Sequence, residues 1–535
     1  MFRNYLKTAF RSLWRNKVIS SINVLGLALG ITCSLLIMLW VNDEKSVDNF
    51  HKNGTQLYAV LERQYGNGAV NNAFFGGPGM MADEMKRVLP DVEYASNFAW
   101  NELKSFEANN KIIKKNGNHA GKDFFKMFSY PLLQGSANTA LQSPSDIAIS
   151  KKMAEEFFGS PAAAIGKTIR YQNSKDFKIT TVFDNLPENS TAQFDYLVNW
   201  QSFLQDNSWA KDWNNNGPQT YLMLRKRADP EVFEKKINRF LDNYDKQQTQ
   251  HSYSRLGMIH YGDVYLNSNF KNGELSGGRI QYVRLFSIIG IFILLIACIN
   301  FMNLTTARSV KRAKEIGIRK VAGAIRFSLI QQFIGEALLV ASIATIISLG
   351  LVGFILPAFN ILTRKNIHIP FNDPVFWLGI AGLLLITGIV SGSYPAFYLS
   401  SFKPVHVLKG ALRFSGSVLW FRKGLVVFQF MLSIILIIGT IVVSRQVSYV
   451  QNMNLGYDRE NLIYVPVEGE LGNKYEVFKN SLNQMQGINS ITKMTGNPTQ
   501  MDNGTSGVNW DGKNPDADIS FVYAGVGYDF IKTMH

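Results

Sequence analysis

Five apolar runs, each about 20 residues long, constrain this chain more than any other feature of its sequence. At a rise of about 1.5 Å per residue, a helix of that length crosses roughly 30 Å of hydrocarbon. We therefore predict five membrane spans, at residues 18–41, 285–304, 337–359, 376–398 and 425–443. The long mixed sequence between the first two spans, residues 42–284, predicts a folded domain on one side of the membrane.

The net charge of +15 indicates how these spans are oriented. Residues 1–17, 305–327 and 400–424 carry essentially all of it, and each of these segments flanks a span. Five alternating spans place the three segments on one face, and basic loops favour the cytoplasmic face. This pattern predicts a multi-pass protein of the bacterial plasma membrane with a cytoplasmic N-terminus. The basic segments are therefore expected to lie next to the lipid bilayer, and a nucleic-acid partner is excluded.

On this topology, each remaining segment has a predicted side of the membrane. The basic N-terminus, a coupling segment and a linker are cytoplasmic, at residues 1–17, 305–336 and 399–424. The large domain, a short loop and the C-terminal part are extracytoplasmic, at residues 42–284, 360–375 and 444–535.

Within the large domain, strand-like and helix-like patterns alternate. Residues 56–62 and 177–183 read as strands. Residues 80–89 have helical spacing and stop at Pro90, and residues 230–244 indicate a helix with proline at its first position. The fold class predicted for the chain is an α-helical transmembrane bundle of five spans with an α+β extracytoplasmic domain.

The sequence predicts no catalytic, cofactor or metal site. The seven histidines do not occur at metal-ligand spacing, and both cysteines, Cys33 and Cys298, lie inside predicted spans. The stretch from Gly159 to Thr168 resembles a phosphate-binding loop, but Pro161 stands where that loop needs a glycine. We therefore predict a surface turn at this place and no ATP site.

Two pairs of short segments match at one offset of 406 residues, which indicates an internal repeat. Residues 13–17 match 419–423 before a span, and residues 121–128 match 527–534 beyond it. The repeat predicts two halves, each with a span, an outer domain and three further spans. On this interpretation the chain is a truncated form that stops inside its second outer domain. A natural five-span protein with a short outer tail is the alternative.

The segment after the second span carries the candidate site residues. Glu315 stands among seven basic residues, and on a helix it can pair with Arg319 or with Lys311. Gly317 and Gly323 mark places where the helix can break and turn. A basic collar held by anionic lipid headgroups is the alternative interpretation of this segment.

Two predictions concern the inner ends of the later spans. Glu336 is expected to cap a helix or to pair with a nearby cation of the collar. Gly392 and Pro395 are expected to kink the fourth span and are a candidate hinge.

In several of these segments the chain resembles the ABC transporter permeases of the MacB/FtsX type. The matching pieces are residues 16–17, 299–304, 315–320, 394–397 and 408–410, with 154, 157–159 and 165–167 in the outer domain. The resemblance is to the eight-span, two-repeat branch, with MacB-like periplasmic core domains. It implies a separate cytoplasmic ATPase dimer whose ATP-driven motion reshapes the outer domains, in efflux or in mechanical transmission. A periplasmic adaptor or an outer-membrane protein is a further partner that the resemblance allows.

By the same resemblance, one group of residues lies in the segment that docks on the ATPase: Lys311, Glu315, Gly317, Arg319, Lys320 and Gly323. Charge reversal at Arg319 and Lys320 is then expected to weaken that association. The main alternative is a membrane-tethered sensor or signalling scaffold, for which the inner segments are too short to form an output domain. An ion-coupled transporter would need ionisable residues at mid-membrane, and an anchored outer enzyme would need an active site that the sequence does not show.

Overall fold

The computed structural model describes residues 17–307, 316–401, 416–467, 469–499, 504–505, 508–513, 519 and 521–534. They form two compact units. One contains the five long helices, and the other contains residues 46–280 together with the part of the chain from residue 454 onward.

Five helices are long and apolar enough to cross a membrane, and they lie where the apolar runs predict them. They are called the first to fifth spans and extend over Lys17–Ser46, Arg279–Ala307, Arg326–Thr363, Pro374–Ser400 and Gly416–Asn452. Each helix is longer than its apolar run because polar residues continue it at one or both ends. The third span, for example, begins at Arg326 and not at residue 337.

Small residues let the first three spans approach closely. A Cβ atom on Gly30 would lie 2.4 Å from Cβ of Ala297, so only glycine fits where the first span meets the second. Ser348 in the third span donates a hydrogen bond to the carbonyl oxygen of Ala28 in the first (2.8 Å). Such contacts are typical of helix association in lipid, where apolar burial gives little driving force.

The outer domain is built on a 12-stranded sheet. Its strands are β1 (Leu57–Gly66), β2 (Ala69–Phe75), β3 (Val92–Phe98), β4 (Glu102–Ala108), β5 (Lys111–Ala120), β6 (Leu132–Gln134), β7 (Asp146–Ser150), β8 (Thr168–Tyr171), β9 (Lys175–Phe183), β10 (Tyr196–Asn199), β11 (Gln219–Leu224) and β12 (Ser252–His260). The shorter helices of the domain are Met81–Val88, Phe124–Met127, Lys151–Phe158, Pro161–Ala164, Trp200–Asp206, Pro230–Ile237 and Tyr261–Val264. The predicted α+β class is therefore confirmed.

Four antiparallel strands in the order β3-β11-β1-β12, with helices Met81–Val88 and Pro230–Ile237, form a βαββαβ unit of the ferredoxin-like type. Side chains from both helices pack on one face of these strands. The predicted helix over 230–244 is shorter than expected: it ends at Ile237 and is followed by a separate turn at Phe240–Asn243.

Residues 99–218 are inserted between β3 and β11. Six of their strands pair in a closed ring, in the order β5-β4-β8-β9-β7-β10 and back to β5. Apolar side chains such as Phe106, Ile179 and Tyr196 fill a core against this ring. A second core joins the insertion to the ferredoxin-like unit, so the outer domain is continuous.

The stretch that resembles a phosphate-binding loop forms a turn, as predicted. Gly159, with φ of 83°, ends helix Lys151–Phe158. Pro161 then begins a four-residue helix that is capped by Ser160, and Thr168 already lies in β8.

The C-terminal part repeats a local arrangement of the outer domain. The amide of Gly121 donates to the carbonyl oxygen of Asn97 (3.0 Å), and the amide of Gly527 donates to that of Lys493 (2.8 Å). A short helix follows each glycine, at Phe124–Met127 and at Phe530–Met534.

A lysine–aspartate pair also recurs in the two places. Asp123 pairs with Lys86 of helix Met81–Val88, and Asp529 pairs with Lys479 of helix Tyr475–Asn483 (2.6 Å). Asp123 and Asp529 are themselves separated by the repeat offset. Their lysine partners are not separated by that offset, and the two-repeat organisation stays a prediction.

Candidate functional site

The candidate site is the coupling segment, residues 305–336, of which the structure describes residues 305–307 and 316–336. Lys311 and Glu315 lie outside the described residues, so the predicted pairing of Glu315 is not described. Residues 316–321 are helical, and Gly317 lies inside this helix. A break of the helix at Gly317 stays a prediction, because residues 308–315 lie outside the described part of the chain.

Gly323 does end the helix, as predicted. Its φ is 94°, its amide donates to Lys320 O (3.1 Å), and the amide of Ala324 donates to Arg319 O (2.9 Å). These two bonds form a Schellman motif, which requires a left-handed residue and so favours glycine. The turn fixes the direction in which the chain continues to Arg326.

Two of the predicted docking cations contact the protein itself. Arg319 Nη1 donates to Gln332 Oε1 (2.7 Å), and Gln332 in turn donates to Glu336 Oε1 (3.2 Å). Lys320 Nζ donates to the carbonyl oxygen of Ser400, at the inner end of the fourth span (2.6 Å). Partial burial and the charge of Arg326 lower the pKa of Lys320. Glu336 thus belongs to a polar chain that begins at Arg319.

Apolar contacts complete the anchoring. Ile316 is buried, and its cluster contains Leu329 and Phe333 of the third span and Ala396 and Leu399 of the fourth. The coupling segment is therefore fixed on two spans by polar and apolar contacts together.

Several large apolar side chains in this part of the chain are exposed. Four large side chains are 60% to 67% exposed, and together they are called the apolar face: Ile318, Val321, Ile325 and Phe327. Exposed apolar patches of this kind are typical of protein interfaces. The sequence analysis missed this face because it weighed the basic residues of the segment and not the apolar residues between them.

The candidate hinge residues lie in a continuous helix. Gly392 and Pro395 are both buried within the fourth span. A Cβ atom on Gly392 would lie 2.7 Å from Cβ of Ala337, so this glycine allows the third and fourth spans to pack closely. A hinge at this position stays a prediction.

A second polar site, which the sequence analysis missed, lies where the chain leaves the first span. Asp48 is buried in a left-handed conformation (φ 61°) and accepts hydrogen bonds from Thr191 N (2.9 Å) and Thr191 Oγ1 (2.5 Å). Its own amide donates to Asn189 O (2.9 Å), and Asn189 Nδ2 donates to Ser46 O (3.2 Å). Burial raises the pKa of Asp48. Residues 46–48 are therefore held to residues 189–191 within the outer domain.

His51 continues this junction into the domain core. Its Nδ1 accepts a hydrogen bond from the amide of Ser129 (3.1 Å), and burial lowers its pKa to about 4. Four aromatic rings surround the imidazole, with centroids between 4.2 and 5.7 Å away: Phe50, Phe128, Tyr130 and Tyr261.

An ion-pair cluster joins the outer ends of the first and third spans. Lys365 Nζ lies 2.7 Å from Asp43 Oδ2 and 3.0 Å from Glu44 Oε1. Burial opposes the lysine charge, but the two carboxylates outweigh it and raise the pKa of Lys365. In the described ranges, no group of three or more histidine, cysteine, aspartate or glutamate side chains is placed to hold a metal ion.

Two protein-family models match the chain. The MacB-like periplasmic core domain matches residues 20–240, and the FtsX-like permease C-terminal model matches residues 287–404. Together the two matches cover more than half of the sequence.

Curated relatives with export and permease names align over most of the chain. The pyoverdine export ATP-binding/permease protein PvdT of Pseudomonas syringae is 24% identical over 429 residues, or 75% of this chain. That alignment spans 59% of PvdT. The ABC transporter permease YvrN of Bacillus subtilis is 22% identical over 426 residues, which cover 76% of this chain and 99% of YvrN.

Among solved structures, a permease domain from Porphyromonas gingivalis is 18% identical, with a TM-score of 0.34, and covers 44% of this chain and 99% of that one. Five apolar helices and two matching family models together identify a multi-pass membrane protein. The chain belongs to the ABC transporter permeases of the MacB/FtsX type, with a MacB-like core domain followed by an FtsX-like permease region.

Proposed function

We propose that this chain is a non-enzymatic membrane subunit of an ABC transporter, and that a separate cytoplasmic ATPase dimer docks on its coupling segment. ATP hydrolysis by the partner then moves the spans and the outer domain that they carry. The observation that carries this proposal is the apolar face on a segment that is firmly anchored to the third and fourth spans. A sensor is not favoured, because the family is one of transport permeases.

The direction of the basic side chains supports docking over a lipid collar. A collar held by anionic lipid is expected to turn its cations toward lipid phosphates. Here Arg319 and Lys320 contact Gln332 and Ser400, while apolar side chains are exposed. We therefore assign the two cations to anchoring the segment and the apolar face to contact with the ATPase.

The proposal includes a cytoplasmic N-terminus, which rests on the three basic segments. It also includes a second repeat, which is supported by the recurring turn and lysine–aspartate pair near residues 475–534. The alignment with YvrN covers 76% of this chain, close to the length of one repeat unit. A periplasmic adaptor or an outer-membrane protein as a further partner remains part of the proposal, on the family resemblance alone.

Site-specific crosslinking tests the docking surface. A photoreactive amino acid replaces Val321, which is exposed, or Ile316, which is buried five residues earlier in the same helix. We expect a crosslink from position 321 to a protein with ABC ATPase sequence, identified by mass spectrometry, and none from position 316. Crosslinking of position 321 to lipid alone would contradict the proposal.

A substitution in the apolar face tests contact with the ATPase without changing the side chains that anchor the segment to the spans. Ile318→Asp places a charge in the apolar face and is expected to reduce copurifying ATPase activity at least tenfold, with the permease still folded. The matched control is Lys111→Asp, a charge change at an exposed position in the outer domain. Equal ATPase recovery with both variants would rule out docking through this face.

Accessibility to a reagent tests the orientation. A cysteine introduced at Lys111 is expected to react with a membrane-impermeant maleimide in intact cells, whereas a cysteine at Ala322 is expected to react only after permeabilisation. The reverse pattern would invert the proposed topology.

A further inference from the structure

A completely buried glutamate lies on β1 of the outer domain. Glu62 is 0% exposed and ends a run of four buried residues, 59–62, whereas the next three residues of the strand are half-buried. Its Oε1 accepts three hydrogen bonds, from Ser254 Oγ (2.7 Å), Asn216 Nδ2 (3.0 Å) and Gln64 Nε2 (3.1 Å). All three donors are neutral groups, and all three approach the same oxygen atom.

The other carboxyl oxygen has a different environment. Glu62 Oε2 is buried and has no hydrogen-bond partner in the part of the chain that the structure describes. It lies over the backbone of Gly77, where an added Cβ atom would be 3.9 Å away. Asn216 Oδ1, on the residue that binds Oε1, is a second buried oxygen without a partner among these residues. The site is therefore short of one hydrogen-bond donor, and a proton on the carboxyl group supplies it.

No nearby cation compensates a negative charge on Glu62. Among the described residues it forms no ion pair, and β2, which pairs with it at Phe74, carries no charged side chain. The basic residues beside it point elsewhere: Arg63 to Gly273 O and Glu274, and Arg255 to Asp242 and Ser254 O.

The charge that acts on Glu62 is the negative charge of Asp245. Burial, followed by this charge, raises the pKa of Glu62 to about 7, against the effect of its three hydrogen-bond donors. A carboxyl group with this surrounding carries its proton near neutral pH, at which exposed carboxyl groups are ionised.

The glutamate also holds a loop in place. Asn216 belongs to residues 214–218, which bind the loop of residues 76–79: Gly77 N donates to Pro218 O (3.0 Å) and Pro78 pairs with Asn216. A Cβ atom on Gly76 would lie 3.1 Å from the carbonyl oxygen of Gly217, so the two loops are in close contact. The amide of Asn216 is thus the link between Glu62 and this contact.

We propose that Glu62 is a proton-binding site. Loss of its proton leaves a buried charge without a cation, and this cost is relieved when residues 214–218 move away from the loop of residues 76–79 and water reaches the carboxylate. The site is separate from the coupling segment, and the inference does not depend on the proposed transport function. It makes the order of this part of the outer domain depend on the pH of the compartment that it faces.

Equilibrium unfolding of the full chain in nanodiscs tests the proposal. Wild type and Glu62→Gln are unfolded in urea at pH 5 and at pH 8, with tryptophan fluorescence as the signal. The amide mimics the protonated acid and cannot ionise. We expect the ratio of the unfolding constants, wild type over variant, to rise on the order of 10²-fold from pH 5 to pH 8. The histidines contribute equally to both proteins and cancel in this ratio.

The matched control is Glu274→Gln, the same substitution at a carboxylate that is 77% exposed. Its ratio to wild type is expected to change less than threefold over the same range. A ratio for Glu62→Gln that is equally independent of pH would overturn the proposal.

Hydrogen exchange in the wild type tests the proposal if Glu62→Gln does not fold. After correction for intrinsic exchange rates, protection of residues 214–218 is expected to fall about tenfold from pH 6 to pH 8, while that of β9 stays constant. Unchanged protection of residues 214–218 would contradict a role for the proton in holding this loop.

Discussion

The contact between Asp48 and Thr191 allows a quantitative test of how firmly the start of the outer domain is held. The hydroxyl of Thr191 donates to the buried carboxyl group of Asp48 over 2.5 Å. Thr191→Val removes this bond, keeps the side-chain volume and leaves the amide bond of Thr191 in place. A hydrogen bond to a charged group contributes about 1.5–3 kcal/mol. Because Thr191 itself is exposed, we expect a loss near the lower end, about 2 kcal/mol.

Local hydrogen exchange measures this loss at the place where it occurs. In the full chain in nanodiscs, a loss of about 2 kcal/mol raises the exchange rate of amides 189–192 about 30-fold, if these amides exchange by local opening. Thr191→Ser keeps the hydroxyl and is expected to change the rate less than threefold. A double-mutant cycle with Asp48→Asn isolates the pairwise contribution. Equal exchange in the valine and serine variants would refute the assignment of Asp48 and Thr191 as the fixed point of the junction.

Three further predictions concern other contacts. His51 and His119 are buried, with pKa values lowered from 6.5 to about 4, so the unfolded state takes up protons first and stability falls as the pH drops from about 6.5 to 4. Each buried histidine lowers the free energy of unfolding by up to about 3 kcal/mol at low pH. His51→Phe should remove the contribution of His51, as measured by acid unfolding. Lys365→Met leaves two carboxylates without their cation and should destabilise the full chain by about 2 kcal/mol in thermal unfolding, whereas Lys365→Arg should not. Gly392→Leu should separate the third and fourth spans and lower the melting temperature, whereas the same change at Gly439, where an added Cβ meets nothing within 4 Å, should not.

The membrane helices were predictable because the length of an apolar run alone decides whether it spans a bilayer. Their ends were less predictable, since a helix continues through polar residues such as Arg326 as long as its backbone bonds are satisfied. The α+β class followed from local periodicity. The ring of strands in the insertion did not, because it depends on pairings between distant segments.

The candidate site was predicted in its location but not in its orientation. The sequence indicated where Arg319 and Lys320 lie, and a basic residue in a loop suggests exposure. Their partners, Gln332 and Ser400, are set by how the spans pack, which local sequence does not encode. Asp48 was missed for the same reason, as its partner Thr191 is 143 residues away. Glu62 lay at the end of a predicted strand, but alternation alone does not show that a charged residue there is fully enclosed.

The closed ring of six strands has a consequence for the outer domain if it moves as the proposed function requires. Open sheet edges offer free amides and carbonyls to any extended peptide nearby, and this invites aggregation. In the ring every strand already has two neighbours, so no such docking edge exists along it. On the proposed function, the insertion can therefore move repeatedly without pairing with strands of other polypeptides.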